Sequence, residues 1–102
     1  MAREPVERIT TLHPDPDKEG VAIDVAKYET MKRALLKVVP RTAKGVPFKD
    51  LARLVKPHLS KQAFDGKASV TWYTVTVKLD LEAREQLERV PGARPQHVRR
   101  PR

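Results

Sequence analysis

Residues 67–102 read KASVTWYTVTVKLDLEAREQLERVPGARPQHVRRPR and decide between fold classes. The stretch has three parts. An apolar segment with the single Trp of the chain extends to about Gln86, two short segments flank a Pro91-Gly92 turn, and residues 99–102 are basic. We expect the upstream chain to pack against the apolar segment.

The apolar segment fits two secondary structures. At a period of two, apolar and polar side chains alternate from Tyr73 to Glu82, and the many β-branched residues favour a strand. At 100° per residue, the same segment has apolar side chains on two nearly opposite faces of a helix. One face has Val70, Tyr73, Val77 and Leu81, and the other has Trp72, Val75, Leu79 and Ala83.

The residues that follow favour the helix. From Asp80 to Arg89 the chain is rich in strong helix formers. A hairpin-like segment comes next, with strands predicted at 87–90 and 96–99 and a Pro-Gly turn between them. We therefore predict a helix over 69–83, with a strand as the alternative that the local pattern leaves open.

The N-terminal part is predicted to be an arm followed by a first helix. Residues 1–20 are interrupted by three prolines and read as a partly flexible arm, with one short helix around residues 6–11. Asp24 is a suitable N-cap, because its carboxylate can accept hydrogen bonds from free backbone N–H groups. Helix 1 then runs to about Val39, where Pro40 ends it.

The second helix is predicted from Phe48 to about Lys56, because Pro57 disfavours helical dihedrals at the residue before it. Residues 21–100 form the predicted domain, and residues 101–102 end the basic tail. At 102 residues the chain is long enough for one domain with a modest core.

Three sequence features resemble a known family. They are a first helix with a Tyr, the spacing Gly45-x-x-Phe48-x-x-Leu51, and the run WY…VKLDLEAR before a hairpin. Between Ile23 and Arg100 the chain is similar to a group of small, uncharacterised bacterial proteins of the winged helix-turn-helix superfamily. The resemblance implies an α+β, mostly helical fold with a three-helix core and a C-terminal β-wing, to which Val46 adds a short strand. That group has no established activity.

One residue departs from that family. The related proteins usually have Gly where this chain has Glu85. A Gly would suit a left-handed residue that stops the third helix. With Glu there, we expect either that the helix continues for a few residues or that its end is reshaped.

The composition indicates a basic protein of the cytoplasm. The formal net charge is +8 and the pI is about 10.1, a balance that favours polyanionic partners. The sequence has no Cys, no apolar run of bilayer length and no signal-peptide pattern. We expect no association with membranes.

No catalytic or metal-binding pattern is recognisable. The three histidines, at positions 13, 58 and 97, are too dispersed for a metal site, and neither serine lies in a nucleophile motif. We expect no enzyme activity, no cofactor and no small-molecule substrate. Asp80 with Arg84, and Glu85 with Arg89, are interpreted as surface ion pairs worth about 0.2–0.5 kcal/mol each.

The favoured function is binding of double-stranded DNA, as a transcriptional regulator. A winged helix places its third helix in the major groove and its wing on the backbone or minor groove. The predicted DNA-facing flank of the third helix consists of Lys67, Thr71, Thr74 and Lys78. It lacks Asn, Gln or Arg near its middle, so we expect mainly phosphate contacts, about four to six, and a log–log salt slope of roughly −4 to −5. The predicted DNA-binding residues are Lys67, Thr71, Thr74, Lys78, Arg94, Arg99 and Arg100.

The alternative function is a protein-interaction adaptor, because a fold does not determine a function. In that case Trp72, Val75 and Leu79 would form the partner surface. The same second apolar face motivates a homodimer. RNA binding ranks third, since most aromatic residues are expected to be buried. The sequence gives no target site and no effector.

Overall fold

The computed structural model describes residues 7–64 and 68–101; the predictions for residues 1–6, for Lys67 and for Arg102 lie outside this part of the chain. The described residues form a small α+β domain with three α-helices and two small sheets. The strands are β1 (Arg8–Thr10), β2 (Ala22–Asp24), β3 (Val46–Pro47), β4 (Glu88–Arg89) and β5 (His97–Arg99). The helices are α1 (Val25–Val38), α2 (Leu51–Val55) and α3 (Val70–Ala83).

The helix prediction for the apolar segment is confirmed. Ser69 begins α3 by accepting a hydrogen bond from the Trp72 N–H at 3.1 Å. Val77 and Leu81 are fully buried in the core. Burying such side chains is worth about 1.5–3 kcal/mol each, whereas β-propensities differ by only ~1 kcal/mol. Helical packing therefore outweighs the local preference for a strand.

The short helix predicted around residues 6–11 is wrong. Residues 8–10 form β1, which pairs antiparallel with β2, and Ile9 lies opposite the buried Ile23. The Thr11 N–H continues this ladder by donating to the Val21 carbonyl at 2.8 Å. A β-carbon at Gly20 would lie 1.7 Å from the Thr11 carbonyl oxygen, so only glycine fits where these two backbone segments meet.

The first helix agrees with its prediction, and the second is less regular. The Asp24 carboxylate accepts a hydrogen bond from the Ala26 N–H at 2.7 Å and starts α1. Only Leu51–Val55 of the predicted second helix are α-helical. A 3₁₀ turn adjoins each end, at Phe48–Asp50 and Lys56–His58, so residues 48–58 form one helical segment.

The three-stranded sheet has the order β3-β5-β4. Both β4 and β5 lie inside the predicted strands, and Val46 pairs with Val98 in β5. Gly45 has φ +60, and a β-carbon there would lie 2.1 Å from the Val98 carbonyl oxygen. The description of this hairpin as a wing stays a prediction.

The predicted ion pair between Asp80 and Arg84 is present, but its predicted surface location is wrong, because Asp80 is buried. Its carboxylate is fully buried and accepts hydrogen bonds from the Tyr28 hydroxyl at 2.5 Å and the Leu12 N–H at 2.8 Å. Arg84 Nε donates to both carboxylate oxygens at 3.0 Å, and this hydrogen bond raises the pKa of Arg84. Burial and the hydrogen bond to Asp80 raise the pKa of Tyr28 to about 12.

The end of α3 corrects both alternatives predicted for Glu85. The helix ends at Ala83 and is not extended, and Glu85 itself adopts the left-handed conformation with φ 63. The Gln86 N–H donates to the Leu81 carbonyl at 2.8 Å, and the Glu85 N–H donates to the Glu82 carbonyl at 3.1 Å. This is the usual Schellman pattern, formed with a residue that has a β-carbon.

Glu85→Gly is expected to stabilise the protein. A left-handed L-residue costs roughly 1–2 kcal/mol, and Gly avoids this cost while adding backbone entropy to the unfolded chain. We expect a net gain of about 1 kcal/mol in the free energy of unfolding, measured by urea denaturation. Glu85→Ala is the control, because it removes the charge and keeps the β-carbon; equal stability of the two variants would contradict this account.

Tyr28→Phe is expected to change how stability depends on alkaline pH. Since the folded pKa of Tyr28, about 12, exceeds its ordinary value of 10.0, the unfolded chain loses this proton first. The contribution of the protonated Tyr28 hydroxyl to the free energy of unfolding is fully present below pH 10 and disappears as the pH rises towards 12. The variant should therefore lose less stability than the wild type between pH 10 and 12. Tyr73→Phe is the control and should follow the wild type.

Candidate nucleic-acid interface

Lys78, predicted to contact DNA, lies inside the protein. It is 1 % exposed, forms an ion pair with Glu82, and donates from Nζ to Gln96 Oε1 at 2.8 Å. Its Nζ also lies 4.8 Å from the centre of the Phe48 ring. Burial lowers the pKa of Lys78, and Glu82 opposes this effect. Lys78 connects α3 to the hairpin, and we exclude it from the interface.

The rest of the predicted helix flank is mostly covered as well. Thr74 is buried, and its hydroxyl donates to the Val70 carbonyl at 2.7 Å, one turn earlier in α3. Thr71, in the first turn, is exposed. Lys67 lies outside the described residues. Of the flank, the structure therefore leaves Thr71 available to a ligand.

The three arginines predicted as one DNA-contacting group are separated. Arg94 is exposed at the turn between β4 and β5. Arg99 lies at the other end of the hairpin, opposite Glu88, with which it forms an ion pair at 2.9 Å. Arg100 Nε donates to the Val39 carbonyl at 2.7 Å. Arg99 and Arg100 are thus attached to the domain and do not form a free tail.

Trp72, predicted as part of a partner surface, is 46 % exposed. Val75 and Leu79, one and two turns further along the same side of α3, are half-buried. The Trp72 ring meets the Tyr73 ring edge to face at 4.9 Å, and Tyr73 meets Phe64 in the same way at 5.3 Å. The predicted surface is therefore open at Trp72 and largely covered beyond it.

A basic surface that the sequence analysis missed lies on the helical segment 48–58. Lys49, Arg53 and Lys56 are exposed and follow the spacing i, i+4, i+7, which places them on one side of a helix. Arg53 lies 3.7 Å from Asp50, yet its side chain remains 71 % exposed. This spacing is visible in the sequence, and it is the local signal that predicts such a surface.

A groove of about 470 Å³ joins this surface to the start of α3. The residues that line it include Lys56 and Lys61, Phe64, and Ser69 and Thr71 at the start of α3. The structure thus brings two cations beside the exposed first turn of α3. Such an arrangement can bind phosphate groups through the ammonium ions and the threonine hydroxyl.

The hairpin turn lies on the same side of the domain as the start of the helical segment. The Phe48 N–H donates to the Gln96 carbonyl at 2.8 Å, which fixes the chain just after the turn next to Lys49. Arg94 is exposed and lies two residues before this contact in the chain. We add Lys61 and Arg94 to the three cations of the helical segment, and from here on the basic surface means these five residues: Lys49, Arg53, Lys56, Lys61 and Arg94.

Metal-binding clusters and membrane-spanning helices are both absent from the described part of the chain. Residues 7–64 and 68–101 contain no group of three or more His, Cys, Asp or Glu side chains placed to hold a metal ion. Within the same residues, no helix is both long enough and apolar enough to cross a membrane. The basic surface is the feature with the clearest ligand chemistry.

Comparison with known proteins places the chain in a family. No curated protein and no solved structure matches it. The sequence pattern of DUF6958, a family of unknown function, matches residues 8–98, nearly the whole of the described chain. The resemblance to winged helix-turn-helix proteins stays a prediction. This chain belongs to the DUF6958 family.

Proposed function

We propose that this protein is a winged helix-turn-helix protein that binds double-stranded DNA through the basic surface and acts as a transcriptional regulator. The observation that carries the proposal is a row of three exposed cations, Lys49, Arg53 and Lys56, on the helical segment 48–58. Its last member, Lys56, lines a groove with Lys61 and the exposed Thr71 of α3. A formal net charge of +8 adds long-range attraction to a polyanion.

The order of the elements supports the proposal. Along the chain, α1 is followed by β3, α2, α3 and a two-stranded hairpin, the order that the resemblance to winged helices implies. Both α2 and α3 pack on α1, and they also pack on each other. A ligand that lies along the basic surface would therefore meet α2, the start of α3 and the turn at Arg94 together.

The proposed binding mode is dominated by phosphate contacts. Lys and Arg neutralise phosphates, and the exposed first turn of α3 offers Thr71 as its polar side chain. Thr71 alone can make few base-specific hydrogen bonds, so sequence preference should be modest. Five cations would give a log–log salt slope of about −4.5, at ~0.9 per phosphate.

The second candidate function is a protein-interaction adaptor. The exposure of Trp72 favours it, because large aromatic side chains are typical anchors of protein interfaces. The half-buried Val75 and Leu79 would extend that surface, between two copies of this chain or with another protein. A Trp72→Ala variant that keeps duplex affinity but loses self-association in sedimentation would favour the adaptor.

We expect the triple variant Lys49→Ala/Arg53→Ala/Lys56→Ala to bind duplex DNA more weakly and with less salt dependence. Removing three of five phosphate contacts should reduce the slope from about −4.5 to about −2. The measurement is fluorescence anisotropy of a labelled mixed-sequence duplex over a series of salt concentrations.

The matched control is Arg33→Ala/Arg41→Ala/Lys44→Ala, which removes three exposed cations that lie outside the basic surface. It has the same net charge as the test variant and should keep a slope near −4.5. Equal losses in the two triple variants would show that only net charge matters. Absence of duplex binding by the wild type at low salt would reject the proposal.

A further inference from the structure

Trp72 is exposed and packs its ring against a neighbouring aromatic side chain. The residue is 46 % exposed, while its edge-to-face contact with Tyr73 and the contact of Tyr73 with Phe64 form a row of three rings. The Trp72 backbone N–H is bonded to the Ser69 hydroxyl, which fixes its position in the first turn of α3. An exposed ring that already packs against a neighbour can accept a planar ligand on its free surface.

The ring row borders the groove that carries the cations. Phe64, at one end of the row, lines the groove together with Lys56 and Lys61. Thr71, which directly precedes Trp72, lines it as well. Trp72 itself does not line the groove; it is at the other end of the row, next to Thr71 in the chain, so an exposed indole adjoins a groove that carries two ammonium groups.

This combination matches the chemistry of single-stranded nucleic acid. Cations follow the phosphates while an aromatic side chain stacks on a base, and one stacked base contributes roughly five- to 150-fold in affinity. In an intact duplex the base faces are covered by their neighbours, so Trp72 could stack on a base only where pairing is interrupted.

We infer that the groove binds a single-stranded segment next to duplex DNA, with Lys56 and Lys61 on phosphates and Trp72 stacked on an unpaired base. The inference rests on the proposed function, since the basic surface must first hold the DNA. It adds a preference for unpaired bases, which phosphate contacts alone would not produce.

Three DNA ligands separate the contributions. They are a duplex, the same duplex with a six-nucleotide thymine extension, and the same extension without bases. The base-bearing extension should bind roughly five- to 150-fold more tightly than the base-free one. It should also quench the tryptophan fluorescence, which Trp72 alone supplies because the chain has a single Trp.

The variants identify the residue responsible. Trp72→Leu keeps an apolar side chain and should lose the preference for the base-bearing extension, with duplex affinity unchanged; Trp72→Phe should keep part of it. Leu12→Ala is the control, because it removes another exposed apolar side chain and should behave as the wild type. Circular dichroism verifies that each variant is folded.

Two results would overturn the inference. Equal affinity for the extensions with and without bases, with duplex binding intact, would reject stacking and leave the proposed function standing. A preference that persists in Trp72→Leu would reject Trp72 as the stacking residue. If none of the three ligands binds at low salt, the proposed function itself fails.

Discussion

The buried carboxylate of Asp80 is the constraint on which the fold depends. An ionised carboxylate away from water is tolerated only when hydrogen bonds and an opposite charge compensate for lost hydration. Here the donors come from three distant parts of the chain: the Leu12 backbone, the Tyr28 side chain of α1, and Arg84 at the end of α3. The N-terminal hairpin formed by β1 and β2 is thereby attached to α1 and α3.

A second buried charge has a similar role at the other side of α3. Lys78 forms its ion pair with Glu82 and a hydrogen bond with Gln96, so α3 is attached to the hairpin through polar contacts. The middle of α3 therefore packs against the interior of the domain. The first turn of α3 is exposed at Thr71 and Trp72. The candidate interface therefore consists of this turn and the helical segment 48–58, and not of the middle of α3.

The sequence predicted the regular elements better than the contacts between them. Helix periodicity, the Asp24 cap and the Pro-Gly turn are local signals, and α1, α3 and the hairpin strands agree with them. The burial of Asp80 depends on a chain segment 68 residues away, which no local pattern reveals. Lys78 likewise looked like a solvated residue, because Gln96 and Phe48 cover it only after folding.

The predictions for the site residues follow the same distinction between local signals and long-range contacts. Thr71 and Arg94 lie on exposed turns, where exposure follows from local chain geometry. Arg99 and Arg100 seemed to form a free tail, yet backbone carbonyls of the loop after α1 and its flanks bind them. The close approach of β5 to Gly45 brings these parts together, and it too is a long-range contact.

The close approach of Gly20 to the Thr11 backbone has a consequence for other members of the family. Any side chain at that position would collide with the Thr11 backbone, so the N-terminal hairpin can close in this form only in members that have glycine there. A relative with a larger residue at the aligned position must route its N-terminal segment differently. Its counterpart of Asp80 would then lack the backbone donor that Leu12 supplies here. In this chain, the absence of a side chain at position 20 is therefore a condition for the backbone hydrogen bond that Asp80 receives.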